Sequence, residues 1–180
     1  MKITSTAIPA VKLIEPRVFS DERGFFFESW NARALAAAGI DTSFVQDNHS
    51  RSRRGVLRGL HYQIEHAQGK LVRAVVGEVY DVVVDLRRSS PTFGRHVGMI
   101  LSSTNQRMLW VPPGFAHGFV VLSETADFLY KTTDSWFAEH ERTLRWNDQA
   151  LGIDWQVVDP PLLAPKDAAG LPLALADTYA

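Results

Sequence analysis

Between Gly55 and Lys70 the chain reads GVLRGLHYQIEHAQGK, which sets Arg58, His61 and Lys70 among glycines and apolar residues. An apolar run, LVRAVVGEVYDVVVDL, follows at once, so the cations sit at the lip of a buried sheet. A neutral imidazole, with an unperturbed pKa of about 6.5, can take a proton at neutral pH. A nearby Lys or Arg stabilises the negative charge left behind, which suits proton abstraction next to a carbonyl. The same residues also read more plainly, as a hydrogen-bonded sheet histidine flanked by edge or solvent cations.

The elements that hold these groups come from one stretch of chain. At 180 residues, with 46% hydrophobic and 22% charged side chains, the expectation is a single domain spanning 1–180 with a sizeable core. Nineteen basic against twenty acidic residues, a net charge of -1, point to neither nucleic acid nor an anionic membrane as partner. The absence of cysteine excludes disulfides, thiolate metal sites and a cysteine nucleophile, and it fits a reducing compartment. The N-terminus lacks a signal-like apolar core, and no window approaches the roughly 20 apolar residues of a membrane span. A cytoplasmic, soluble protein is expected.

Residues 2–15 alternate loosely between Pro9 and Pro16 and read as an edge strand or extended arm, taken as residues 1–16. In DERGFFFES, Asp21, Arg23 and Glu28 surround three phenylalanines; this is either a hairpin with charged ends or a grip for a ring and a phosphate. Residues 31–38, NARALAAA, predict a helix with Gly39 as its C-terminal cap. FVQDNHSRSRRG reads as a solvated loop, or as the entrance to an anionic-ligand site with Gln46, Asp47 and Asn48 as contacts. From Gly55 onward, runs rich in Val, Ile, Leu and aromatics recur every 8 to 12 residues or so between turn signals, without helical alternation. The expected fold is all-β, an antiparallel jelly roll of the cupin type with one or a few short peripheral helices. The proline-rich tail, residues 147–180, is expected to wrap the surface without regular structure and to deliver Lys166 and Asp167 to a pocket mouth.

Jelly rolls of this size often hold a metal through HxH, a downstream Glu and a PxGxxH histidine. Here Gln63 replaces the second histidine and Lys70 falls near the acidic position, while Pro112, Gly114 and His117 keep the last motif. An ammonium offers no lone pair and repels a cation, so no metal is expected; the same lysine charge suits an enolate. Tyr130 in DFLYKT shares a strand face with Phe128 and reads as a core tyrosine or an acid. Arg58 lies an odd number of residues before His61 and points away from it in a regular strand, unless Gly59 makes a bulge.

The blocks DERGFFFE, VQDNHS, GVLRGLHYQ, AQGKLVRAVVGEVYDVVVDLR, SPTFG, PPGFAHGF, DFLYKTTD, RWND and LAPKDAAGLPLA occur in order. With them the chain resembles the dTDP-4-dehydrorhamnose 3,5-epimerase family, metal-free cupin-type enzymes of dTDP-L-rhamnose synthesis. The resemblance implies His61 as base paired with Asp167, Tyr130 as acid on the opposite face, and Lys70 with Arg58 at the enolate oxygen. It implies Arg23, Glu28, Gln46, Asn48, His117, Glu141 and Lys166 as contacts to a dTDP-linked 4-keto-6-deoxy sugar. Trp136 stands where the family has a tyrosine stacking on thymine, and Ala164-Pro165 where Ser-Ala is usual. The resemblance further implies no cofactor, and a homodimer in which N-terminal strands cross to the partner. Three rivals predict different behaviour: an enzyme inverting only C3 or only C5, a non-catalytic nucleotide-sugar binder, and a metal-dependent oxygenase.

Overall fold

In the computed structural model, which describes residues 1–180, two antiparallel sheets face each other. The six-stranded sheet runs in the order β1 (Lys2–Ser5), β2 (Lys12–Glu15), β10 (Met108–Val111), β7 (Lys70–Val76), β12 (Thr125–Thr132), β5 (Gln46–Arg53). The five-stranded sheet runs β13 (Glu141–Thr143), β6 (Leu57–Gln63), β11 (Phe115–Val121), β8 (Glu78–Asp85), β9 (His96–Ser102). From β5 onward the chain passes back and forth between the sheets, except for the β8–β9 hairpin within the five-stranded sheet, the connectivity of a jelly roll.

The core explains the strand sequences. Val72, Leu109 and Phe128 from one sheet meet Val79, Val83 and Phe119 from the other between the layers. The opposite face of the five-stranded sheet carries Leu57, Leu60, Val82, Val84 and Val120, and these are covered by Leu151, Trp155 and Ala176 of the tail. Strand β8 is therefore buried on both faces, which is why it reads as a continuous VVV run instead of alternating.

Within the single chain residues 2–15 do not project: β1 and β2 form a hairpin whose second strand pairs with β10, Ile14 facing Met108 and Leu13 facing Leu109. What projects instead is the next hairpin, β3 (Phe19–Asp21) with β4 (Gly24–Phe26), on which Phe19, Phe25 and Phe26 are 53%, 62% and 68% exposed. The helix α1 (Ala32–Ala37) forms as expected. The Asn31 side chain accepts from the Ala34 N–H at 3.0 Å, and Gly39 takes the left-handed φ of +83° at the other end. Its Leu35 packs with Ile14, Leu71 and Met108 on the outer face of the six-stranded sheet.

Two segments are more regular than their composition suggests. The expected loop QDNHSRSR is strand β5, paired residue for residue with β12. As an edge strand it buries only alternate side chains, so its polarity conceals its period of two. The tail is stitched to the five-stranded sheet by bridges Val56 to Leu162 and Leu144 to Leu171, and it contains a one-turn helix, α2 (Pro165–Ala168).

Candidate active site

A cleft of about 410 Å³ opens between the sheets, and eleven of the thirteen candidate residues line it. The six-stranded sheet supplies Gln46, Asn48, Lys70 and Tyr130, and the five-stranded sheet supplies Arg58, His61, His117 and Glu141. Trp136, from the loop after β12, and Lys166 and Asp167, from α2, complete the wall.

His61 meets Asp167 through Nε2 and Oδ1 at 2.5 Å. Ala164-Pro165 is compatible with this contact: Pro165 occupies the first turn of α2, where its missing N–H costs nothing, and the same turn carries the buried Asp167. Burial lowers the imidazole pKa and the Lys166 and Lys70 charges add to this, against the pull of Asp167. The ring is therefore neutral at pH 7 and available as a base.

Lys70 is 8% exposed at the start of β7, with Nζ 3.4 Å from the His61 carbonyl oxygen, which accepts from it. Burial brings its pKa down to about 8, with Glu141 and Asp81 holding it up. It remains mostly cationic at neutral pH. Tyr130, across the cleft on β12, packs beside Phe128 with ring centroids 6.3 Å apart. Burial raises the pKa of its phenol, Glu141 adds to the rise and Arg58 opposes it, so the hydroxyl keeps its proton. The cleft thus holds a neutral imidazole on one sheet and a protonated phenol on the other.

Arg58 reaches the cleft through a bulge. His117 pairs with His61 and Phe119 with Arg58, so two steps on β11 oppose three on β6. The extra residue turns an odd spacing into a shared face. Gly59 makes this possible, at φ +123°: a Cβ there would stand 2.6 Å from the Gly118 Cα and 2.7 Å from the His117 carbonyl oxygen. We expect Gly59→Ala to cost ~2–4 kcal/mol in urea unfolding, from strain plus backbone overlap. Wild-type stability in that variant would contradict the bulge.

One residue of this region was not singled out from the sequence. Asp81 on β8 is fully buried, its Oδ2 is 2.8 Å from His117 Nε2, and its Oδ1 has no hydrogen-bond partner. Burial raises its pKa while His117 and Lys70 lower it. The signal was a lone carboxylate inside the apolar run VYDVVV. Elsewhere on the wall, Lys166 Nζ donates to both Glu141 oxygens at 3.0 Å, and Gln46 donates to Asn48 at 2.9 Å. No group of three or more His, Asp or Glu side chains is arranged to hold a metal ion.

Arg23 and Glu28 lie outside the cleft. Arg23 is turned back onto Asp21 of its own hairpin, at 2.5 Å, and Glu28 accepts from the Asn31 amide at 3.0 Å. Both charges are engaged locally and stay outside the cleft of their own chain.

A family model for dTDP-4-dehydrorhamnose 3,5-epimerase matches residues 5–174. The chain belongs to this family. It is 66% identical over 180 residues to the dTDP-4-dehydrorhamnose 3,5-epimerase of Pseudomonas aeruginosa, covering 99% of both chains. Among solved structures it resembles the Legionella pneumophila dTDP-6-deoxy-D-glucose-3,5-epimerase in complex with dTDP-4-keto-L-rhamnose. The TM-score is 0.95 at 53% identity, over 98% of this chain and 94% of that one. A 3'-monoepimerase from Streptomyces bikiniensis, solved with dTDP-quinovose, is similar at TM-score 0.89 and 32% identity, over 95% and 87% of the two chains.

Proposed function

We propose that the chain inverts C3 and C5 of dTDP-4-dehydro-6-deoxy-D-glucose, giving dTDP-4-dehydro-L-rhamnose. The observation that carries this reading is the opposition of the His61–Asp167 pair on one side of the cleft to Tyr130 on the other, in a member of this epimerase family. His61 takes the proton from a carbon next to the C4 ketone, and Asp167 steadies the imidazolium that forms. Both target carbons flank one carbonyl, so a single cation, Lys70 with Arg58 beside it, stabilises the enolate oxygen in either step. Tyr130 returns a proton to the face opposite the base, which inverts the carbon. Base and acid must be different residues, because one group acting alone only exchanges the proton.

Gln46, Asn48, His117, Glu141 and Lys166 then serve as substrate contacts, and Trp136 stacks on the thymine. Arg23 and Glu28 join the site only if a second copy presents them. We therefore read the protein as a homodimer in which the exposed β3–β4 hairpin and the residues just after it enter the partner's cleft. No helix is long and apolar enough to cross a membrane, and the cysteine-free composition supports a cytoplasmic location.

The similarity to a 3'-monoepimerase keeps a second reading in view, inversion at one carbon only. The test is to supply dTDP-4-dehydro-6-deoxy-D-glucose together with a 4-keto reductase and NADPH. Formation of dTDP-L-rhamnose is expected, and a product inverted at one carbon would replace the reading with the second. Tyr130→Phe should separate the two proton transfers: epimerisation falls ~10²-fold while solvent exchange at the carbon persists, because the base is intact. An equal loss of both would remove Tyr130 from the acid role.

A further inference from the structure

The indole of Trp136 is 54% exposed, so little packing fixes its direction. Its backbone, by contrast, is fixed by three hydrogen bonds at the two peptide groups that flank its Cα. The Trp136 N–H donates to Gln46 Oε1 at 3.1 Å. One buried side chain makes the other two bonds, one at each of these peptides. Gln63, 3% exposed, donates from Nε2 to the Ser135 carbonyl at 3.2 Å and accepts at Oε1 from the Phe137 N–H at 2.7 Å. The same Nε2 donates to the His66 carbonyl at 2.8 Å, and the His66 and Phe137 rings pack with centroids 4.4 Å apart. The carboxamide thus makes three hydrogen bonds, all to backbone groups, two of them at the peptides that flank an exposed aromatic residue.

From this geometry we infer that Gln63 is the positioning residue for the nucleotide end of the cleft. It stands two residues after His61 on β6, the strand that carries the base, and it clamps the loop that carries Trp136. The base and the nucleobase wall are thereby tied to one strand, and a nucleotide stacked on the indole places its sugar in a fixed relation to His61. A carboxamide suits this task because it offers donor and acceptor together; an apolar residue would leave the Phe137 N–H and the Ser135 carbonyl without partners. The inference rests on the reading of Trp136 as the wall on which thymine stacks.

The test uses full-length Gln63→Met and Gln63→Glu with dTDP as the probe, by titration calorimetry, and with the nucleotide sugar in steady-state assays. For Gln63→Met we expect the dTDP Kd and the KM to rise about tenfold, with kcat within about threefold of wild type. Gln63→Glu keeps the acceptor for Phe137 but sets a carboxylate against two carbonyls, so its Kd should rise as well. In a Trp136→Ala background the further effect of Gln63→Met should shrink to less than about twofold, since the two act through one contact. In wild type the Phe137 amide should exchange slowly with solvent, a measurement that needs no variant. Folded variants with wild-type dTDP affinity, additive effects in the Trp136→Ala background, a loss confined to kcat, or unprotected exchange at Phe137 would each overturn the inference. Failure of the wild-type protein to bind dTDP would instead bring down the functional reading, and the inference with it.

Discussion

His61→Ala is expected to remove turnover and solvent exchange together, with kcat/KM falling at least ~10³-fold, near the upper part of the range for loss of a general base. Both observables depend on the same first event, departure of a proton to the imidazole, so neither survives without it. Binding of dTDP should stay within about threefold of wild type, because the ring is engaged with Asp167 and the proposed nucleobase contact is at Trp136. Asp167 cannot substitute as the base at full efficiency: it is 2% exposed, and its place is behind the ring. Deuterium exchange measured alongside product formation decides the matter. Retention of exchange in His61→Ala would assign the base to another residue.

The second large effect combines activity with stability. Lys70→Met should lower kcat ~10²–10³-fold, the size of effect that follows loss of a donor at a developing oxyanion. The same variant should be more stable at pH 7. Holding a lysine at a pKa of about 8 in the folded protein, against 10.5 in an unperturbed chain, corresponds to about 3 kcal/mol of penalty while the group is charged. Glu141 and Asp81 lose a cationic neighbour in the variant, so the net gain should be smaller, ~1–3 kcal/mol by urea unfolding.

The sign of the pH dependence follows from the same shift. Between about 8 and 10.5 the unfolded chain binds more protons at this position than the folded one, so the contribution of Lys70 to stability becomes less unfavourable as pH rises through that window. Activity moves the other way. The charged amine needed at the enolate is lost above about pH 8, and kcat/KM should decline there. Met at position 70 should abolish both trends, and a variant that is inactive but less stable than wild type would contradict a buried, desolvated ammonium.

Most of the architecture was legible because its cause is local. Residues 31–38 carry their own cap and glycine stop, and the strands from β6 onward carry apolar runs with turn residues between them. Where the signal failed, the cause lay in partners distant in sequence. Strand β5 is polar because it lies at an edge, and only its pairing to β12 makes it a strand. The position of Arg58 depended on a bulge that becomes visible only when Gly59 is seen against Gly118. Asp167 and His61 are 106 residues apart, and nothing near either one states that Pro165 will start a turn between them. Residue types alone supported both a catalytic and a bland reading of His61 and Tyr130; their identity as a pair on opposing sheets required the topology. Arg23 and Glu28 illustrate the reverse case, since the chain's own fold leaves them outside its cleft.

The most direct measurement of the central claim is incubation of the protein, without added metal, with dTDP-4-dehydro-6-deoxy-D-glucose in heavy water, followed at C3 and C5 by NMR. Deuterium at both carbons is predicted, with inversion at both and with the exchange lost in His61→Ala. Label at one carbon alone would contradict double epimerisation, and tight binding with no label at either carbon would contradict proton transfer by His61 and Tyr130 altogether.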